Sequence, residues 1–229
     1  MLSDRLQAIA KLVPYNSIVA DIGTDHGYLP IALVKANQVS KAYAMDINEG
    51  PLLKAQENIR AYGLDKQVMP LKSSGLEHLP KDVKVVVIAG MGGILISNIL
   101  ETSKQKLDSI DSLILSPHLD VPHVRRTVHK LGFLISEEKM VQDQEKYYFI
   151  LKCDQGDEHY SEIEYEYGKK LMEEGSPVFL AYLESEKNKL EKVINRLMTI
   201  DAKSTIGRSK VLKDKYDTIV EIRRHHETQ

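Results

Sequence analysis

Acidic side chains surround a glycine turn near the start of the sequence. Residues 17–30 read SIVADIGTDHGYLP, in which Asp21 lies near the end of an apolar run and Asp25 lies between two glycines. Asp46 ends the next apolar run. A buried strand, a glycine turn and a helix start, in this order, are typical of a site for a nucleotide-like ligand. Asp46 is then placed to accept both hydroxyl groups of a ribose.

The glycine turn also indicates which nucleotide-like ligand it binds. NAD-binding turns carry three glycines as GxGxxG, whereas this turn has only Gly23 and Gly27. A carboxylate at Asp21 or Asp25 would repel a pyrophosphate, but it suits the ammonium group of S-adenosylmethionine. Asp46 fits the ribose of either cofactor. The pattern therefore favours S-adenosylmethionine over NAD.

The cofactor is expected to lie across the ends of the first four predicted strands. Ile47 would flank the adenine ring, and residues 74–76 follow the third strand, where methyltransferases usually contact that ring. The predicted cofactor-binding residues are Asp21, Gly23, Thr24, Asp25, His26, Gly27, Asp46, Ile47, Asn48, Ser74, Gly75 and Gly90.

Alternating strand and helix patterns position these loops along one edge of a sheet. The predicted strands are residues 18–22, 41–47, 67–73, 83–89 and 112–116, followed by 133–142 and 145–152. The fourth is almost continuously apolar, as in a strand buried on both faces of a parallel sheet. The last two are too close together for a crossover helix and should form an antiparallel hairpin. The predicted fold class is therefore α/β, with a mostly parallel, doubly wound, Rossmann-like sheet.

A change of composition near residue 154 divides the chain into predicted domains 1–153 and 154–229. In the second domain, residues recur at spacings of four and three, as in a coiled-coil seam with one polar position. This seam comprises Phe179, Leu183, Glu186, Leu190, Val193 and Leu197. After a connection at residues 201–208 comes a second stripe, formed by Leu212, Tyr216 and Ile219. We expect the stripes to pair as an antiparallel helical hairpin; the alternative is a stalk that only stabilises or dimerises the protein.

Composition and charge exclude several classes of protein. With 229 residues, 42% of them hydrophobic, the chain can bury one full α/β core and a smaller appendage. One cysteine, Cys153, excludes an internal disulfide framework, so a cytoplasmic location is expected. A net charge of −2 excludes nonspecific coating of nucleic acid, but not one defined nucleic-acid substrate. We expect a monomer that binds neither a metal nor a membrane.

Five motifs occur in a fixed order along the chain. They read DIGTDHGYLP, MDINEGPLLKA, SSGLEHLP, VVIAGMGGILI and LILSPHL, and a helical segment beginning SPVFLAYLESE follows them. Together they resemble the bacterial tRNA (adenine-22-N1)-methyltransferase family over nearly the whole chain. The resemblance implies a class I methyltransferase domain, S-adenosylmethionine as donor and an adenine of the tRNA D-loop as target. It also implies a C-terminal, coiled-coil-like helical domain that helps to hold the tRNA.

The resemblance assigns further residues to the acceptor side. Residues 90–93 (GMGG) would let the backbone approach a flipped adenine closely, with Met91 against the base. The candidate catalytic residues are Gly90, Met91, Gly92, His26, Tyr28 and His118. The family often has Gln-Pro-Asn where this chain has Ser-Pro-His at residues 116–118, and often alanine at Gly27. Because N1 of adenine carries a free lone pair, no strong general base is required.

Basic residues of two helices are candidates for contacts with tRNA phosphates. They are Arg125, Arg126, Lys210, Lys213, Lys215, Arg223 and Arg224. An ordinary solvated helix face has the same sequence pattern.

Three alternative functions remain open from the sequence. The same fold and cofactor could methylate another RNA, a protein or a small molecule. A noncatalytic protein could bind S-adenosylmethionine and engage a partner through its helical hairpin. An NAD oxidoreductase has the least support, since the third glycine is missing and no set of hydride-transfer residues stands out.

Overall fold

The computed structural model describes residues 2–198 and 205–227. Its strands are β1 (Ile18–Ile22), β2 (Lys41–Asp46), β3 (Val68–Lys72), β4 (Val85–Ala89), β5 (Ser112–Ser116), β6 (Phe133–Asp143) and β7 (Lys146–Gln155). Its helices are α1 (Asp4–Leu12), α2 (Tyr28–Lys35), α3 (Glu49–Ala61), α4 (Gly93–Thr102), α5 (Lys104–Leu107), α6 (Val121–Lys130), α7 (Glu162–Tyr167), α8 (Lys169–Glu174), α9 (Pro177–Met198) and α10 (Thr205–Glu227). Across those two described ranges, no helix has the length and apolarity needed to cross a membrane.

All seven strands described form one sheet in the order β3-β2-β1-β4-β5-β7-β6. β1 to β5 run parallel, and β7 is antiparallel to both β5 and β6. The predicted parallel sheet with a terminal antiparallel hairpin is confirmed. The chain order reverses between the adjacent strands β1 and β4, and ligands of such sheets bind beyond the carboxyl ends of the strands at this point.

Helices cover both faces of the sheet because its central strands are apolar on both sides. On one face, Ile96 of α4 and Val124 of α6 belong to the same buried cluster as Ile88 of β4. On the other, Ile9 of α1 packs in a cluster with Val87, the preceding residue of β4. Each fully buried aliphatic side chain of this kind contributes about 1.5–3 kcal/mol. The two layers hold the carboxyl ends of the strands in fixed positions.

The chain forms two compact units, Met1–Lys169 and Lys170–Gln229. The sequence-based boundary at residue 153 lies earlier, before a segment that contains Tyr160 and Tyr165. Both tyrosines are buried in the core of the first unit. Arg125 on α6 also donates to the Tyr165 carbonyl oxygen at 2.8 Å. The segment that follows β7 therefore extends the first unit.

In the second unit, α9 packs against α10. Glu184, in the first half of α9, pairs with Arg223 near the end of α10, so the two helices are antiparallel. Residues 201–204 of the predicted connection lie outside the described residues, and α10 already begins at Thr205.

Along the predicted seam of α9, Phe179 and Leu183 are buried, whereas Glu186, Leu190 and Leu197 are partly exposed. Val193 is 42% exposed, whereas Ile194 is 8% exposed. A straight α-helix has about 3.6 residues per turn and drifts relative to a strict heptad. Ile194, four residues after Leu190, therefore replaces Val193 in the seam.

Candidate functional site

The turn after β1 folds over the end of β2. The backbone N–H groups of Gly23 and Thr24 both donate to the Met45 carbonyl oxygen, at 2.8 and 2.9 Å. Gly23 has φ +73°, a left-handed conformation that favours glycine. A Cβ added there would overlap the Met91 methyl group, which comes from the loop after β4. The turn thus brings the ends of β1, β2 and β4 together.

Asp21 lies at the base of this turn and is 7% exposed. Thr24 Oγ1 donates to Asp21 Oδ2 at 2.7 Å, which favours the charged carboxylate. Burial nevertheless raises the pKa of Asp21 from its ordinary value of 3.8 to about 6, with smaller contributions from the Asp46 and Asp25 carboxylates. A buried carboxylate of this kind is stabilised by a cationic group placed next to it.

Asp25, His26 and Tyr28 form a linked group on the surface of the turn. The Asp25 carboxylate, 81% exposed, lies 2.9 Å from His26 Nε2. The His26 and Tyr28 rings are stacked, with centroids 5.3 Å apart and planes inclined by 6°. Asn58 of α3 donates to the His26 carbonyl oxygen at 2.9 Å and holds this residue at φ +59°. Tyr28 is 49% exposed, so the group offers a flat aromatic surface.

Hydrogen bonds fix the loops after β2 and β3. Asp46 Oδ1 accepts the Asn48 N–H at 2.7 Å, which orients the carboxylate. The Ser73 N–H donates to the Asp46 carbonyl oxygen at 2.9 Å, and the Ser73 hydroxyl donates to the Gly75 carbonyl oxygen at 3.0 Å. Ser73 is 3% exposed and was missed from the sequence, which pointed to the exposed neighbour Ser74. The sequence signal for Ser73 was its position as the last residue of the predicted third strand.

Two other predicted cofactor residues have different surroundings. Ile47 is 57% exposed beside Asp46. Gly27 is the N-cap residue of α2, with φ +71°, and a Cβ there would lie 3.2 Å from the Ala55 Cβ of α3. Gly27 therefore allows α2 and α3 to approach closely.

The loops after β4 and β5 are joined through their backbones. The Gly90 N–H donates to the Ser116 carbonyl oxygen at 3.1 Å, and the His118 N–H donates to the Met91 carbonyl oxygen at 2.9 Å. Gly92 is the N-cap residue of α4. Gly90, Met91 and His118 therefore lie together at the carboxyl edge of the sheet, whereas His26 and Tyr28 belong to the β1 turn.

Three residues that the sequence did not indicate surround His118. Arg5 Nη1 lies 3.4 Å from His118 Nε2, and the Arg5 guanidinium lies 5.0 Å from the centre of the Tyr148 ring. Burial lowers the pKa of His118, and the positive charges of Arg5 and Lys146 lower it further, although a hydrogen bond to the Gly90 backbone opposes them. These partners lie far apart in the chain, so no spacing pattern could reveal them.

The prediction that Arg125 contacts tRNA is wrong, because the structure buries this side chain completely. Arg125 Nε donates to Glu138 Oε1 at 2.7 Å, and the two side chains are 0% and 1% exposed. Arg125 Nη1 donates to the carbonyl oxygens of Tyr165 and Glu166 at 2.8 and 3.1 Å. Arg125 therefore joins α6 to β6 and α7 inside the first unit.

The other predicted tRNA contacts lie at the surface or near it. The Arg126 side chain is 42% exposed, and its two terminal nitrogens donate to the Glu162 carboxylate at 3.1 and 2.6 Å. Arg223 on α10 is paired with Glu184 and Glu227. The exposed residues of α10 from the predicted set are Lys210, Lys213, Lys215 and Arg224.

Within residues 2–198 and 205–227, no group of three or more His, Cys, Asp or Glu side chains is arranged to hold a metal ion. The clustered groups are instead a buried carboxylate at Asp21, a second carboxylate at Asp46 and glycines at the ends of β1 and β4. This arrangement can bind a cationic ligand that also carries a diol, and it leaves an open face beside Gly90.

Comparison with known proteins gives a consistent result. A family model described as a methyltransferase domain matches residues 2–151. The chain is 32% identical to the tRNA (adenine(22)-N(1))-methyltransferase of Bacillus subtilis strain 168, over 98% of each chain.

Solved structures show the same fold along almost the full length. A crystal structure described as a candidate tRNA (m1A22) methyltransferase of Streptococcus pneumoniae is 35% identical and superposes with a TM-score of 0.92, over 97% of this chain and 100% of that one. A second structure of that protein, in complex with S-adenosyl-L-methionine, gives a TM-score of 0.89 at 34% identity, with the same coverage.

Proposed function

Since this chain belongs to the tRNA (adenine(22)-N(1))-methyltransferase family, we propose that it transfers a methyl group from S-adenosylmethionine to N1 of adenine 22 in the tRNA D-loop. The observation that carries this proposal is the meeting of the buried Asp21 turn, Asp46 and the Gly90 loop at one edge of the sheet. The bacterial relative with the same activity matches over the full length.

The residues at this edge fit S-adenosylmethionine. Asp21 would face the ammonium group of its methionine part, because a buried carboxylate with a raised pKa is stabilised by a nearby cation. Asp46 Oδ1 accepts the Asn48 N–H, and Asp46 Oδ2 would accept from the ribose. Gly23, which has no side chain, lets the Met91 side chain pack directly against the backbone of the turn. Ile47 would cover one face of the adenine.

The chemistry requires placement rather than proton transfer. When bound, S-adenosylmethionine supplies an electrophilic methyl group, and N1 of adenine has the lone pair that accepts it. The residues of this chain must then hold the target base in line with the methyl group, which is worth about 7–11 kcal/mol in favourable cases. Gly90, Met91 and Gly92, which follow the carboxyl end of β4, would border the base. The stacked rings of His26 and Tyr28 would offer it an aromatic surface.

Cations at or near the surface supply the proposed contacts with the tRNA backbone. Arg126 lies on α6 and pairs with Glu162. On binding tRNA, Arg126 would exchange this carboxylate for a phosphate. On α10 the proposal includes Lys210, Lys213, Lys215, Arg223 and Arg224. We also propose that the protein is cytoplasmic, which the buried free thiol of Cys153 supports, and monomeric, since α9 and α10 cover each other.

Incubation of the protein with unmodified tRNA and S-adenosylmethionine should yield 1-methyladenosine in the digested RNA. Nucleoside mass spectrometry measures this product directly. The control is a transcript in which adenine 22 is replaced by guanine, for which no product is expected. Product from both transcripts would move the target to another adenine, and no product from any tRNA would refute the proposed function.

Asp46→Ala should weaken S-adenosylmethionine binding roughly 100-fold, because two charge-assisted hydrogen bonds to the ribose, together about 3 kcal/mol, are lost. Isothermal titration calorimetry measures the effect. Asp65→Ala is the matched control: it removes a surface carboxylate, 3.6 Å from Arg60, that precedes β3 at the opposite edge of the sheet. Equal affinities for the two variants would contradict the ribose role of Asp46.

A further inference from the structure

We propose that Arg5, with His118 and Tyr148, forms a subsite that binds a tRNA phosphate next to the target adenine. This inference rests on the proposed function and adds a residue of α1 to the substrate site. Three elements that are distant in sequence meet there: α1, the loop after β5 and the β6–β7 hairpin.

The three side chains form a compact cluster beside Gly90. Arg5 Nη1 and His118 Nε2 are 3.4 Å apart, and the His118 and Tyr148 rings meet edge to face at 5.7 Å. A Cβ added at Gly90 would lie 3.5 Å from His118 Nε2 and 3.7 Å from both terminal nitrogens of Arg5. The cluster therefore borders the loop where the proposed methyl transfer takes place.

The charge of Arg5 is not neutralised by the fold. Its backbone N–H lies 3.4 Å from a carboxylate oxygen of Asp143, but in the described part of the chain its guanidinium forms no ion pair with a carboxylate. The exposed Lys146 adds a second positive charge close to His118. By contrast, Arg126 and Lys130 in the same unit each form an ion pair with a carboxylate.

His118 and Tyr148 hold the guanidinium in one orientation. Burial and the charges of Arg5 and Lys146 lower the pKa of His118, which favours the neutral ring. Because a guanidinium can only donate, Nε2 is the acceptor of the contact with Arg5 Nη1. Tyr148 lies against the guanidinium at 5.0 Å. A guanidinium fixed in this way loses less rotamer entropy on binding, and its remaining N–H donors match a phosphate in a bidentate arrangement.

The charge of the product decides between a phosphate and the base as the ligand of Arg5. Methylation at N1 leaves a positive charge on the adenine ring, and a guanidinium next to the ring would oppose it. A backbone phosphate is an anion before and after the reaction. Holding it also helps to extract the base, since a flipped nucleotide must be gripped through its backbone.

The test compares Arg5→Ala with Lys11→Ala, which removes one exposed positive charge from the same helix. Affinity for a tRNA transcript is measured at several salt concentrations, with S-adenosylmethionine affinity and melting temperature as checks on the fold. Arg5→Ala should bind tRNA about tenfold more weakly, and the slope of log Kd against log salt should fall by about one, the effect of one lost phosphate contact. Lys11→Ala should keep the slope of the wild type.

Two further variants make the outcome decisive. Arg5→Lys keeps the positive charge but cannot donate to a phosphate through two parallel N–H groups. It should therefore retain the wild-type salt slope while losing part of the tRNA affinity. Lys146→Glu changes an exposed side chain and should also weaken tRNA binding, which tests the subsite if Arg5→Ala does not fold. Wild-type slope and affinity in Arg5→Ala, or a loss of turnover alone, would overturn the proposal. Failure of the proposed function is a separate result: the wild type would then form no 1-methyladenosine.

Discussion

Arg125→Met should lower the melting temperature of the unit Met1–Lys169 by about 6–20 °C, whereas Arg126→Met should leave it almost unchanged. The two residues are neighbours on α6, but Arg125 is fully buried and bound to Glu138, while Arg126 pairs with Glu162 at the surface. Removing Arg125 takes a buried positive charge away from the buried Glu138 carboxylate, and breaking a buried ion pair in this way typically costs about 3–5 kcal/mol. Differential scanning calorimetry of both variants gives the comparison.

A double variant separates the charge from the packing. Arg125→Met combined with Glu138→Met removes both buried charges and replaces them with apolar side chains. It should regain part of the stability lost in the single variant, because burying the Glu138 charge in the absence of Arg125 is the main cost. Equal, small shifts in the two single variants would show that the ion pair does not hold α6 against β6.

Helix geometry explains why sequence reasoning failed at Arg125 and not at the strands. Val121, Val124 and Val128 form the buried face of α6, and Arg125 lies one turn after Val121 on the same face. The spacing of the valines therefore already indicated burial. The identity of the counter-charge could not be predicted, because Glu138 lies on β6 and only the folded sheet brings it to α6.

The elements that sequence reasoning identified correctly are those set by local chemistry. The apolar run of β4 and the glycine turn after β1 follow from residues within a few positions of each other. The Arg5 cluster depends on contacts across 113 residues, which no local pattern encodes. Ile194 is an intermediate case. The sequence predicted the helix α9, but which of its residues face α10 depends on how the two helices pack. Local signals thus locate the glycine turn after β1, while tertiary contacts assemble the Arg5 cluster.

Asp21→Asn should raise the melting temperature of the free protein and weaken its binding of S-adenosylmethionine. Burial raises the pKa of Asp21 from 3.8 to about 6, so at pH 7.5 the native state contains a carboxylate in surroundings that disfavour its charge. This rise corresponds to at most about 3 kcal/mol of lost stability. Asparagine is neutral, has nearly the same shape and can still accept the Thr24 hydroxyl. The gain should be up to about 10 °C.

The pH dependence gives this prediction its sign. Between pH 3.8 and about 6 the native state of the wild type binds more protons at Asp21 than the unfolded state does. The stability that Asp21 contributes is therefore present below pH 3.8 and is lost as the pH rises through about 6. The difference in melting temperature between Asp21→Asn and the wild type should be large at pH 8 and small near pH 4. Asp65→Asn, an exposed control, should show no such trend.

Cofactor binding should change in the opposite direction. In the proposed site, the ionised Asp21 makes a charge-assisted contact with the ammonium group of S-adenosylmethionine. Asp21→Asn should therefore raise the Kd about ten- to 100-fold at pH 7.5. Wild-type affinity should fall below pH 6, where binding must first displace a proton from Asp21, and the variant should lack this dependence. Calorimetry in buffers of different ionisation enthalpy measures the displaced proton. A variant that is both more stable and equally tight in binding would place the ammonium group away from Asp21, and the raised pKa would then reflect burial alone.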